Sequence, residues 1–165
     1  MTQVVRFLFD ESLAAGPTVQ AQLAASLKLY GTDAEIVHFF SKFPPGVQDA
    51  VWIPQIAREE GWIVVSADRG THSRQGEKLP EICSAFGVTH VMLSAALAKR
   101  NWYYKTLAFQ SHWGELLATA QSPKGTGFKL SITGERSFSL RKVSEPPLPE
   151  GPHRQQSLFR TPEET

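Results

Sequence analysis

The sequence predicts an α/β fold: an open parallel sheet in a three-layer arrangement with flanking helices. Two observations carry this prediction. Short apolar segments rich in β-branched residues alternate with segments whose apolar residues recur at helical spacing. The connections between them are short, as in sheets built from right-handed β-α-β crossovers. The expected order is β-α-β-α-β-α-β, followed by a helical region and a short C-terminal hairpin.

The first half of the chain supplies the parallel strands and the helices between them. Strands are predicted at residues 4–9, 34–40, 62–65 and 88–93. Each intervening helix is predicted to end at a glycine, because glycine adopts the left-handed conformation of a helix C-terminus without steric cost. These glycines are Gly31, Gly61 and Gly87. Within the second helix, Pro54 either begins the regular part or kinks it.

Beyond the fourth strand the pattern becomes mainly helical. Residues 95–121 are predicted to be helical, with a break near residues 99–101. The inward stripe is expected to contain Tyr103, Thr106, Leu107, Gln110, Trp113, Leu117 and Ala120. The hairpin is predicted from residues 128–132 and 138–143. We therefore expect one domain over residues 1–143 and a flexible, Pro-rich tail over residues 144–165.

Composition and charge limit the class of protein. Of the 165 residues, 41% are hydrophobic and 20% are charged, as in ordinary soluble domains. The net charge of +1 argues against bulk attraction to nucleic acid, but it permits a local basic patch. A single cysteine excludes an internal disulfide. No segment approaches the ~18 apolar residues of a membrane span, and acidic residues come too early for a signal peptide. We expect a cytoplasmic protein without a membrane partner.

Three aspartates are predicted to meet at one edge of the sheet. Asp10 follows the first strand, Asp68 follows the third, and Asp49 opens the helix after the second. Ligand sites in open parallel sheets lie outside the carboxyl ends of the strands, so the three carboxylates are expected there, with Glu11 as a further member. Clustered carboxylates repel one another unless a cation is present, and oxygen ligands suit Mg²⁺ or Mn²⁺. Singly, each aspartate also fits a helix cap or an Asx turn.

Basic and aromatic side chains are predicted beside this edge. Arg69, Arg74 and Lys78 flank Asp68 and are candidates for phosphate binding, with an ordinary exposed basic loop as the alternative. Residues 102–105 (WYYK) combine aromatic rings with a cation, as single-strand-binding surfaces do, although packing against the sheet also explains them. Structural roles are expected for Cys83, His38, His90 and His112.

These motifs resemble those of the PIN-like domain family in their order and spacing. The resemblance rests on the first strand with Asp10 and Glu11 behind it, on FPPGVQDAVWIPQIAREEGWIVVSADRG over residues 43–70, and on VTHVML over residues 88–93. The most similar branch is grouped with VapC-type toxins, in which an Asp-x-x-Trp-[Leu/Ile]-Pro segment precedes a Gly-Trp strand that ends in Asp. The similarity spans about residues 4–143.

The resemblance implies a metal-dependent endoribonuclease, often the toxin of a toxin–antitoxin pair. It places Asp10, Asp49 and Asp68 at the acidic metal-site positions, and Glu11 at a second acidic position found in some branches. The implied cofactor is one or two Mg²⁺ or Mn²⁺ ions. The implied partners are RNA, a cognate antitoxin and a second copy of the chain in a homodimer.

The chain departs from the larger PIN nucleases at one position. Those enzymes carry a fourth carboxylate one strand later, where this chain has Ser94. The departure supports an alternative hypothesis: a non-catalytic PIN-like module that binds RNA or protein. A receiver-like phosphoacceptor is a third alternative, but the end of the fourth strand lacks the lysine which that fold requires.

Overall fold

The computed structural model describes residues 3–30, 33–67 and 78–146. Within this part of the chain, six strands form one sheet: β1 Val5–Phe9, β2 Ala34–His38, β3 Trp62–Ser66, β4 Thr89–Leu93, β5 Gly127–Ile132 and β6 Phe138–Ser144. Their order across the sheet is β2-β1-β3-β4-β5-β6. Neighbours from β2 to β5 are parallel, and β6 pairs antiparallel with β5. The carboxyl ends of β1 to β5 therefore share one edge.

Helices cover both faces of the sheet, so the predicted three-layer α/β fold is confirmed. They are α1 Pro17–Lys28, α2 Phe39–Lys42, α3 Asp49–Ala57, α4 Leu79–Ala85, α5 Ala95–Ala98 and α6 Trp102–Ala118. Strand side chains alternate between the two cores. In β1, Phe7 and Phe9 pack in the core with α1, α5 and α6, whereas Leu8 packs in the core with α2, α3 and α4. Each helix in the described ranges is too short or too polar to cross a bilayer.

The C-terminal hairpin is present but is not a separate feature. β5 pairs in parallel with β4, so α5 and α6 form a further crossover between neighbouring strands of the same sheet. The predicted break between the two helices at residues 99–101 is observed. The structure describes the chain only as far as residue 146, so the expected flexibility of the tail stays a prediction.

Helix α3 begins at Asp49, as predicted, but Asp49 is not its N-cap, and the helix ends before the predicted stop. Gln48 occupies the cap position, and Asp49 is the first helical residue. The helix ends at Ala57, before the expected stop at Gly61, whose φ of +89° instead serves the turn into β3. Pro54 lies inside the helix, so the regular part does not begin there. Tertiary packing overrides the cost of an internal proline, which removes one backbone hydrogen bond.

The glycine after α4 lies where it was predicted, but the buried face of α6 differs from the predicted inward stripe. Gly87 follows α4 with a φ of +70°, as predicted, whereas Gly31 lies outside the described residues. In α6, Thr106 and Trp113 are buried as expected, but Tyr103 is 54% exposed. The buried face is completed by Ala108, Phe109 and Leu116. The buried face of the helix is therefore rotated relative to the predicted stripe, because the rings of Phe109 and Trp113 pack on β1.

Candidate active site

Asp10 directly follows β1 at the carboxyl edge of the sheet. Its backbone N–H donates a 3.0 Å hydrogen bond to the carbonyl of Val65, which extends the β1–β3 ladder by one step. Its backbone is extended, so its side chain lies on the face opposite to that of Phe9. Asp10 is only 7% exposed. The fold thus holds a carboxyl group almost out of water at the edge where ligand sites occur.

Three hydrogen bonds position the Asp10 carboxylate. Oδ1 accepts from the backbone N–H of Ser12 at 3.0 Å and from the Ser12 hydroxyl at 2.5 Å. Oδ2 accepts from the Ser66 hydroxyl at 2.5 Å. The Ser12 hydroxyl in turn accepts from the backbone N–H of Ala67 at 2.8 Å. Asp10 therefore caps the 3₁₀ turn at Glu11–Leu13 and is also tied to the end of β3.

Burial raises the pKa of Asp10 from 3.8 to about 6. The hydrogen bonds from Ser12 and Ser66 oppose this rise, because they stabilise the ionised form. The negative charge of Asp49 adds to the rise. A nearby cation stabilises the ionised form of a carboxyl group. This stabilisation is largest for a buried carboxyl group, whose pKa burial has raised.

Asp49 is the first residue of α3, and its negative charge acts on Asp10. Its Oδ1 accepts a 3.0 Å hydrogen bond from Nε1 of the buried Trp52, one helical turn later. Burial raises the pKa of the Cys83 thiol, and the charges of Asp49 and Asp10 add to that rise. The two carboxylates thus act on each other and on the same buried thiol. Cys83 itself is core, as the sequence predicts.

The remaining predicted site residues are exposed or lie outside the described residues. Glu11 is exposed in the 3₁₀ turn, and Lys78 is exposed at the cap position of α4. Three predicted residues, Asp68, Arg69 and Arg74, lie outside the described residues. Among residues 3–30, 33–67 and 78–146, no group of three Asp, Glu, His or Cys side chains could hold a metal ion. The described part of the site has two carboxylates.

Two serines of the site were not predicted from the sequence. Ser12 follows Asp10 by two residues, which is the spacing of an Asx turn, so a local signal for it exists. Ser66 is fully buried as the last residue of β3, and its hydroxyl contacts both Asp10 and, at 3.2 Å, the Ser12 hydroxyl. Its role depends on the pairing of β1 with β3, which no local pattern specifies.

The donor chemistry of this edge fits a hard divalent cation. Three hydrogen bonds occupy three of the roughly four lone-pair sites of the Asp10 carboxylate, so one site is left for a ligand. The donors are oxygen atoms, which suit Mg²⁺ and Mn²⁺ rather than zinc. Mg²⁺ commonly binds through one or two carboxylates and keeps several waters, a demand that Asp10 and Asp49 can meet.

Comparison with known proteins agrees with the fold. A family model described as PIN-like domain matches residues 5–94, from the start of β1 to the residue after β4. The match covers more than half of the chain, which therefore belongs to the PIN-like domain family. Nuclease activity is frequent among PIN-like domains. Searches of curated proteins and of solved structures found no match.

Proposed function

We propose that this chain is a metal-dependent endoribonuclease that hydrolyses RNA phosphodiester bonds. One observation carries the proposal: the fold places the buried Asp10 carboxyl, with its raised pKa, within electrostatic range of Asp49 at the carboxyl edge of the sheet. Such an arrangement is costly without a cation. Membership of a family rich in nucleases supports the same function.

In this proposal Asp10, Asp49 and Asp68 hold one or two Mg²⁺ or Mn²⁺ ions. A bound ion of this kind lowers the pKa of a coordinated water and stabilises charge on the scissile phosphate. The chain contributes the positioning. Ser12 and Ser66 hold the Asp10 carboxylate in one orientation, and the Trp52 indole holds that of Asp49.

The remaining roles are proposed from sequence. Arg69, Arg74 and Lys78 would bind phosphate oxygens beside the carboxylates. Glu11 would be a further acidic residue of the metal site. The resemblance to VapC-type toxins suggests a toxin with a cognate antitoxin and a homodimeric state. These assignments extend beyond the family membership itself.

Cleavage of a labelled single-stranded RNA tests the proposal. The wild type should cut in Mn²⁺ and stop in EDTA, and Asp10→Asn and Asp68→Asn should each lose the activity. Asp33→Asn is the matched control, because Asp33 is exposed just before β2, at the opposite edge. Undiminished cleavage by Asp68→Asn would end the metal-site hypothesis.

A non-catalytic PIN-like module that binds RNA or protein is the second candidate. It is favoured by the three hydrogen bonds that already occupy the Asp10 carboxylate and by Ser94 in place of a fourth acid. Calorimetric titration with Mn²⁺ separates the two candidates. Absence of a binding isotherm for the wild type would favour the binding module.

A further inference from the structure

A cluster of aromatic and cationic side chains lies at the start of α6. Two of its cations rest on aromatic rings: the Arg100 guanidinium carbon is 4.9 Å from the centroid of Tyr104, and Lys105 Nζ is 5.1 Å from the centroid of Trp102. The Tyr103 ring meets that of Tyr104 edge to face, with centroids 5.3 Å apart. We refer to these five residues, Arg100, Trp102, Tyr103, Tyr104 and Lys105, as the α6 platform.

Packing against the sheet explains only part of this cluster. Trp102 and Tyr104 are half-buried and pack against the core beneath α6. Tyr103 is 54% exposed, and Arg100 is also exposed. The inner rings therefore act as supports that hold the two cations in place, while the Tyr103 ring faces outward at the first turn of the helix.

The charge around the platform is positive. Residues 12–32 and 95–114, which contain α1, α5 and α6 as far as Gly114, include no Asp or Glu, and the one acid of α6, Glu115, lies near its far end. Within the part of the chain that the structure describes, Lys99, Arg100 and Lys105 form no ion pair with a carboxylate. The whole chain has a net charge of only +1, so acidic residues in other parts of the chain balance the positive charge of this layer. A polyanion complements such a surface.

The direction of α6 places the platform at the same edge as Asp10. Along β1, the Phe7 ring contacts Trp113 at a centroid distance of 5.4 Å, and the Phe9 ring contacts Phe109 at 5.0 Å. The helix thus runs antiparallel to β1. Trp102 precedes Phe109 by seven residues, which extends the helix by ~10 Å toward the carboxyl edge.

The platform and the acidic site are on opposite faces of that edge. The Asp10 side chain lies on the side of α3, whereas the platform belongs to the layer of α1 and α6. A groove of about 680 Å³ between α1 and α6 continues from Trp102 and Tyr103 past Val19 and Gln22.

We propose that the α6 platform binds single-stranded RNA. A base stacks on the exposed ring of Tyr103, and Arg100 and Lys105, held over Tyr104 and Trp102, contact the flanking phosphates. Interleaved aromatic rings and cations without acids suit a single strand, because every base has a stacking face and every linkage is negative. The inference rests on the proposed function only in its choice of RNA, since binding at the platform requires no cleavage.

Fluorescence anisotropy with a labelled 12-nucleotide oligouridine, in EDTA, tests this proposal without cleavage. Tyr103→Ala should weaken binding by roughly ten-fold, because stacking on an aromatic ring is lost. Tyr103→Phe should bind as the wild type does, since it keeps the ring. Tyr30→Ala is the matched control: Tyr30 is 46% exposed on the same layer, but it lies against Gly114 near the other end of α6.

The salt dependence of the same assay tests the cations. Arg100→Gln should reduce the slope of log K against log salt by roughly 0.7, the value for one phosphate contact on a single strand. Equal affinity for the wild type and Tyr103→Ala would overturn the proposal. So would equal weakening by Tyr103→Ala and Tyr30→Ala in variants that fold as the wild type does, because the loss would then not be specific to the platform.

Sedimentation of the same variants distinguishes RNA from a protein occupant. A wild type that is dimeric and a Tyr103→Ala variant that is monomeric would make the platform a subunit interface and overturn the proposal. The two proposals fail separately. Loss of platform binding with retained cleavage refutes the platform alone, whereas intact binding by a chain that never cuts refutes the nuclease alone.

Discussion

The Ser66 hydroxyl donates a 2.5 Å hydrogen bond to Oδ2 of Asp10 and joins the carboxyl ends of β3 and β1. Both residues are buried, and the bond connects positions that are far apart in sequence. The orientation of the carboxylate at the proposed metal site therefore depends on the pairing of two strands.

Ser66→Ala should destabilise the fold and raise the pKa of Asp10 further. The substitution removes the donor to Oδ2 and leaves a buried carboxylate oxygen without that partner, at a cost of ~1–3 kcal/mol at pH 7. Urea unfolding measures the loss. Ser139→Ala, on the edge strand β6, is the control and should be nearly neutral. Wild-type stability of the Ser66 variant would show that the hydrogen bond contributes nothing.

Asp10 should make the wild type less stable as the pH rises from about 4 to 6. Its pKa of about 6 in the folded protein exceeds the ordinary 3.8, so the folded state binds more protons than the unfolded state in this window. The stability that Asp10 contributes below pH 3.8 is then lost as the pH rises through about 6. The loss amounts to ~3 kcal/mol.

The difference in unfolding free energy between the wild type and Asp10→Asn, measured in EDTA from pH 4 to pH 7.5, isolates this effect. Glu59, whose pKa is lowered by its hydrogen bond from Trp62, and His38, whose pKa is lowered by burial, titrate in both proteins and cancel. A difference that does not change with pH would contradict the raised pKa of Asp10.

Two substitutions of Asp49 should separate its structural role from its proposed ligand role. Asp49→Ala leaves the indole N–H of the buried Trp52 without this acceptor, which should cost ~1–3 kcal/mol. Asp49→Asn keeps an oxygen acceptor and should stay near wild-type stability. Both should abolish the rise in Tm that Mn²⁺ produces in the wild type. A full Mn²⁺-dependent rise in Asp49→Asn would remove this residue from the ligand set.

Gly61→Ala should destabilise the turn that leads into β3 more than Gly46→Ala destabilises its loop. Both glycines have a positive φ, +89° and +83°, so an alanine pays the left-handed strain of ~1–2 kcal/mol at either position. At Gly61 the added Cβ would also overlap the carbonyl oxygen of Val4, whereas nothing lies within 4 Å of a Cβ at Gly46. Equal losses of stability, measured by thermal unfolding, would show that the backbone at Val4 shifts away from the added Cβ without a free-energy cost.

Local pattern was sufficient for the alternation of strands and helices and for the edge at which Asp10 stands. β-branched runs and helical spacing reflect short-range sterics and the burial of one face, so they can be recognised within a few residues. The same reasoning failed for Tyr103, which the stripe of α6 placed inward. The rotation of that helix is decided by Phe109 and Trp113, whose rings pack on β1.

Long-range packing decided the rest. That β5 extends the sheet beside β4, that Ser66 reaches Asp10, and that the charge of Asp49 acts on both Asp10 and Cys83 all depend on strand order and on the angle at which helices meet the sheet. These contacts join residues distant in the chain, and many sequences with the same local periodicity would make different ones. Asp10 can be named from the sequence of one strand, but its burial, its donor Ser66 and its raised pKa depend on the folded core.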